Sequence, residues 1–229
     1  MKSLKLTAAF TLILLATSGT CFPANIDTFN SETQSMSPRI TIRIFDYADL
    51  TTNSSEGMIT EAGRIFLKAG IETSWVNCRN QQQSEQHLLT CESPLGPTDL
   101  LLRILPGEIP QSARLPETAL GFAVVKREGG SMATVYLRRI EAIAQGSLAT
   151  KGQLLGHAAA HEIGHLLLGT LEHSPGGIMK ADWRGKTLDG IAKRDMLFNR
   201  QQAEYMHYQV QERQRRSASL ILETASKTP

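Results

Sequence analysis

His161-Glu162-Ile163-Gly164-His165-Leu166-Leu167-Leu168-Gly169-Thr170-Leu171-Glu172-His173, with Gly177-Ile178-Met179 close behind, is the stretch on which the reading of this chain turns. His161, Glu162 and His165 form H-E-x-x-H. On a helix, residues four apart sit ~40° apart around the axis and ~6 Å apart along it, so two imidazoles at that spacing reach one metal ion. Glu162 lies ~60° to the side of His165, near enough to serve as base for a water activated there. Neutral imidazoles beside a carboxylate suit zinc. Leu154, Leu155, Ala158, Ala159, Ile163, Leu166 and Leu167 make the other faces apolar, which predicts a buried helix and an interior site. Gly169 suits the left-handed residue that ends a helix, and His173 can return as a third ligand.

In type and order His161, Glu162, His165, Gly169, His173 and Met179 resemble the metzincin clan of zinc metallopeptidases, whose pattern is H-E-x-x-H-x-x-G-x-x-H followed by a methionine-containing turn. The spacing departs. Three residues rather than two separate His165 from Gly169, and three again separate Gly169 from His173. One extra helical residue turns the chain exit by ~100°. Glu172 and Glu204 therefore stand as rivals to His173 for the third position. The resemblance implies an α+β, zincin/metzincin-like fold with a mixed twisted sheet of four to five strands, a backing helix, an active-site helix and a C-terminal helix. It also implies Zn2+ as cofactor, Met179 as an apolar floor beneath it, and a protein or peptide substrate. Lys180, Ala181, Asp182 and Trp183 follow the methionine, so a tyrosine ligand of the kind some family members carry is not expected.

The rest of the chain is consistent with one exported domain. Its 229 residues and 41% apolar content provide for a single core. The net charge of +2 includes Lys2 and Lys5 at the extreme start, so no nucleic-acid or anionic-membrane partner is indicated. Residues 1–21 read as a signal peptide: a charged start, an apolar run from Leu6 to Ala16 too short to span a bilayer, and small residues beyond. The expected location is secreted or periplasmic, with a lipid-anchored Cys21 as the alternative. Residues 22–38 read as a polar linker, 39–216 as the catalytic domain, and 217–229 as a loose tail. The chain is expected to act as a monomer, off the membrane once the signal is removed. Cys78 and Cys91 read as one disulfide closing a polar loop. A reactive thiol or a second metal site with His87 are the weaker readings.

In order, the pattern predicts a strand over 40–47, a helix from the caps at 51–55 to Gly70, and strands over 71–77, 99–105, 119–125 and 133–137. A long helix follows from about residue 147 or 150, and another over 199–216 with Ala203, Met206 and Val210 on one side. Asn80–Gln86 reads as a solvated loop and Glu128–Ser131 as a turn. The 120–123 strand resembles the one bordering the cleft in the metzincin clan. His157, one turn before His161, is expected beside the site or in solvent rather than as a ligand. No Gly-x-Ser-x-Gly elbow and no phosphate-binding glycine loop occurs. The functional expectation is an exported endopeptidase in which Glu162 assists a zinc-activated water. The alternative is a non-catalytic exported protein that uses the same zinc structurally.

Overall fold

Alternation along Arg39–Asp46 places Ile40, Ile42 and Ile44 on one face, all essentially inaccessible, and makes this segment the central strand β1. The structure, a computed structural model, describes residues 37–79, 85–107, 116, 119–126 and 130–225, with side chains of 85–88 and 220–225 excepted. The signal, most of the linker, much of the Gln-rich loop, Glu128 and Gly129 of the 128–131 turn, and the last four residues lie outside the described residues. So does the side chain of His87.

The fold is α+β. Helix α1 (Thr52–Lys68) begins at Thr51, whose side chain accepts from Ser54 N, and it buries Met58, Ala62, Ile65 and Phe66. Strand β2 (Glu72–Asn77) pairs parallel to β1. Helix α2 (Glu85–Glu92) precedes β3 (Asp99–Leu105), which pairs parallel to the other side of β1. Strand β5 (Met132–Tyr136) adds parallel to β3, and β4 (Gly121–Val124) adds antiparallel to β5. The sheet order is β2-β1-β3-β5-β4, so β4 is an edge.

Leu100, Leu102 and Ile104 of β3 and Ala133 and Val135 of β5 extend the buried face started by β1. Against that core lie α1 and helix α4 (Lys151–Leu168). These two helices cross almost backbone to backbone. A Cβ at Gly152 would stand 2.9 Å from Gly57 Cα, and one at Gly156 would stand 2.7 Å from Glu61 Cβ. Any side chain there would push α4 off the core. Helix α6 (Arg200–Ala225) covers α4 with Met206 and Val210, and Arg213 donates to the α4 carbonyl of Leu166 at 3.1 Å.

Four expectations need correction. Residues 85–92 are helical, so the disulfide between Cys78 and Cys91 ties a helix to the end of β2 rather than closing a bare loop. Helix α3 (Leu137–Ala144) and helix α5 (Lys186–Ala192) were not anticipated; each is about two turns long, too short for the apolar period to declare itself. Helix α6 runs past Arg216 to Ala225.

The disulfide closes a separation of 13 residues. Replacing both cysteines by serine should lower unfolding stability by about 3 kcal/mol, the chain-entropy value for so short a loop. Urea denaturation checks this: the midpoint should fall, and the slope should not decrease, because the unfolded chain loses a cross-link.

Candidate metal centre

Helix α4 is apolar on nearly every side, and every residue from Leu154 to Leu167 is buried. Its start is fixed by a capping box, with the Thr150 side chain on Gln153 N and the Gln153 side chain on Thr150 N. Its end is fixed by Gly169 at φ 67°, whose N–H donates to His165 O at 2.9 Å. That left-handed exit sends residues 170–173 back across the helix end.

The imidazoles converge as a result. Nδ1–H of His161 donates to Ile178 O at 2.7 Å, and Nδ1–H of His165 donates to Thr170 O at 2.8 Å. Those bonds assign the tautomer and leave each Nε2 with a bare lone pair. The two Nε2 atoms are 3.1 Å apart. In a tetrahedral site with bonds of ~2.0–2.1 Å, two nitrogens stand ~3.3 Å apart, so the pair has the spacing of ligands to one ion. His173 completes the set: its ring centroid lies 5.3 Å from His161 and 5.0 Å from His165, and ligand atoms of all three residues lie within 4.8 Å of one another. Burial lowers the pKa of His161 to about 3 and that of His165 to about 4, and also lowers that of His173. The donors are therefore neutral at pH 7, as a metal needs, and the set suits Zn2+.

Of the rivals for the third position, Glu204 on α6 is exposed and paired with Arg200 at 2.7 Å, while Glu172 is exposed beside His173. Among the described residues, His161, His165 and His173 form the one group able to hold a metal ion. Met179 is fully buried, and its sulfur packs against the helix at Gly164, where a Cβ would stand 2.8 Å from it. The same turn supplies the Ile178 carbonyl that orients His161. His157 is wholly buried and is not part of the ligand group.

These side chains open on a cavity of about 330 Å³, lined by Pro116, Leu120, Phe122, Leu171, Ala181 and Trp183 as well as by the histidines and Glu162. Glu162 is 6% exposed, and burial raises its pKa from 4.5 to about 8. Its carboxylate sits against the edge strand: a Cβ at Gly121 would come within 3.1 Å of Glu162 Oε1 and 2.2 Å of Thr134 O. The resemblance pointed to the strand but not to the glycine, which is needed because carboxylate and backbone share the space. Trp183, Leu171 and the orienting carbonyls of Ile178 and Thr170 were likewise missed. Carbonyls carry no sequence signal, and the two side chains lie in loops without a period.

No protein-family model and no curated protein sequence matches the chain. Among solved structures it is similar to the zinc-dependent peptidase from Methanocorpusculum labreanum, at 16% identity over 72% of this chain and 99% of that chain, with a TM-score of 0.45. It is also similar to archaemetzincin from Methanopyrus kandleri, at 15% identity over 76% of this chain and 96% of that one, with a TM-score of 0.44. Neither likeness is close enough to carry an argument; the chemistry below is read from the site's own atoms.

A pH signature follows for the metal-free protein. With its pKa raised from 4.5 to about 8, Glu162 keeps a proton in the folded chain that the unfolded chain has released, so stability falls as pH rises through that window. His161 and His165 act oppositely: lowered from 6.5, they cost stability only as pH drops below 6.5. Between pH 6.5 and 8 Glu162 should therefore set the slope, and metal-free Glu162→Gln should lose less stability across that interval than the parent. Urea midpoints of the two chains at both ends of the interval check this.

Proposed function

We propose that the protein is an exported zinc-dependent endopeptidase, acting as a monomer on protein or peptide substrates. The observation that carries this reading is the convergence of three neutral imidazoles, within 4.8 Å of one another, beside a buried carboxylate at the base of an apolar cleft. His161, His165 and His173 would hold the ion. Zinc bound there supplies Lewis-acid polarisation of a carbonyl and a lowered pKa for water.

The remaining work falls to the chain. Glu162 takes the proton of the attacking water and hands it to the leaving amine. A dication held by the histidines would favour its ordinary carboxylate form, because an opposite charge nearby favours ionisation and opposes the burial that raises the metal-free pKa to about 8. Among the described residues strand β4 is paired on one side only, and its Gly121, Phe122 and Ala123 border the cavity. An extended peptide can add to that edge by backbone hydrogen bonds. Phe122, Leu171 and Trp183 exclude water around the bond to be cut and favour an apolar side chain beside it. Met179 forms the floor and carries no ligand atom to the ion.

The contrasting reading is a non-catalytic zinc protein. A purely structural site fills all four positions with protein ligands and has no use for a buried acid beside them. Here His173 stands exposed on the cavity side and Glu162 faces the same cavity, an arrangement that suits turnover better.

A chelator should abolish casein or gelatin cleavage while the far-ultraviolet circular dichroism persists. Glu162→Ala should lower kcat by about 10²–10⁴, the range for loss of a general base, with zinc content still near one per chain. Normal turnover by that variant would overturn the mechanism. His173→Ala should weaken zinc retention in a chelator competition; unchanged affinity would assign the third position to another residue.

A further inference from the structure

His157 is wholly buried one turn before His161, yet the metal group does not use it. Its Nδ1 lies 2.9 Å from Gln153 O and 3.7 Å from Glu61 Oε1, and its Nε2 is buried without a hydrogen-bond partner among the described residues. A buried polar atom without a partner costs ~1–3 kcal/mol, so an imidazole at this place calls for an explanation. The neighbouring indole provides one. Trp183 stands perpendicular to His157, with centroids 6.3 Å apart and planes at 87°, and perpendicular to the ligand His161, at 5.6 Å and 88°. One indole thus spans two imidazoles a helical turn apart, in the edge-to-face geometry aromatic rings prefer.

That indole is itself held. Trp183 Nε1 donates to Lys180 O at 3.0 Å, and the ring is 7% exposed, with one side on the cavity. Behind His157, Glu61 is 1% exposed on α1 and is bound by Arg64 at 2.6 Å and by Arg194 at 3.1 Å. Arg194 adopts φ 62°, a backbone conformation unfavourable for a residue with a side chain. The chain just beyond α5 is thereby tied to α1. His161 donates one hydrogen bond, to Ile178 O, which fixes its tautomer; the plane of its ring is set by the rings packed around it, those of His165, His173 and Trp183. Of these three, Trp183 is the ring that does not belong to the metal group.

We propose that Trp183 and His157 are positioning residues of the metal centre: the indole fixes the plane of the His161 ring, and His157, anchored by its hydrogen bond to the Gln153 carbonyl, fixes the indole. The inference rests on the metal-binding part of the proposed function and goes beyond it, because neither residue touches the ion. An imidazole suits the anchor because it is slim enough to lie under the indole and still donates to the Gln153 carbonyl. A leucine there would keep the packing and lose the donor.

The test uses the full mature chain loaded with Co2+ or Zn2+ in four versions: parent, Trp183→Ala, Trp183→Phe and His157→Leu. Three quantities are read: zinc affinity by chelator competition, the visible absorption bands of the cobalt form, and the thermal midpoint of the metal-free chain. Trp183→Ala should weaken zinc binding by about 10–100-fold, the range typical when an outer partner of a ligand is lost, and should shift the cobalt bands. Trp183→Phe should recover most of both, since a phenyl ring can present the same perpendicular face. His157→Leu should shift the cobalt bands in the same direction as Trp183→Ala, to a smaller extent. Parent-like cobalt bands and affinity in Trp183→Ala would overturn the inference, leaving the indole as a cavity wall only. A lowered metal-free midpoint that accounts for the lost affinity, with no recovery by phenylalanine, would overturn it in favour of a purely structural role. A parent chain that shows no cobalt bands would instead overturn the metal-binding reading, and this inference with it.

Discussion

The structure depends on one constraint: a helix buried on nearly all sides carries, besides His157, three buried polar side chains, His161, Glu162 and His165, whose polar atoms must be satisfied inside the protein. Two backbone carbonyls meet part of that need. Ile178 O and Thr170 O take the Nδ1 protons of His161 and His165, and in doing so aim both Nε2 atoms at one point. The remaining lone pairs face each other at 3.1 Å with no proton between them, a repulsive arrangement that a cation relieves. The features around the site follow from this. Gly169 turns the chain so that Thr170 presents its carbonyl and His173 comes within reach; the 177–179 turn presents Ile178 O and buries Met179 under Gly164.

The packing that holds α4 in place is as restrictive as the site. Gly152 and Gly156 let α1 lie against α4 at backbone distance, and Glu61 is buried at that crossing with Arg64, Arg194 and His157 around it. On the opposite flank Gly121 lets β4 lie so near the Glu162 carboxylate that a Cβ there would crowd it at 3.1 Å. Small residues on both sides of α4 thus convert tight helix and strand packing into precise placement of the ligand helix. A methyl group added at any of these positions would move chemistry as well as core.

Much of this was legible in the sequence, and the reasons are specific. The pair His161/His165 with Glu162 could be read because helical spacing alone puts them on one patch. Strands β1 and β3 could be read because Ile40, Ile42, Ile44 and Leu100, Leu102, Ile104 alternate with more exposed neighbours. His173 stood open between rivals in the sequence because the αL exit at Gly169, which brings it near the pair despite the longer spacing, is a backbone feature. Helices α3 and α5 were not legible, since two turns do not establish a period. The continuation of α6 past Arg216 was hidden for another reason: its apolar residues Leu220, Ile221 and Leu222 are consecutive and show no helical period. The partners of the site were least visible, because carbonyl oxygens and the close approach of Gly121 depend on the fold and not on residue type.

The central claim is that three imidazoles share one ion and leave a side of it open. Zinc K-edge X-ray absorption on the protein loaded with one equivalent of zinc tests it most directly. The account predicts four nitrogen or oxygen neighbours at ~2.0–2.1 Å, with outer-shell scattering for three imidazoles and one solvent-exchangeable light atom. Two imidazoles only, or a shell closed by four protein ligands, would contradict it.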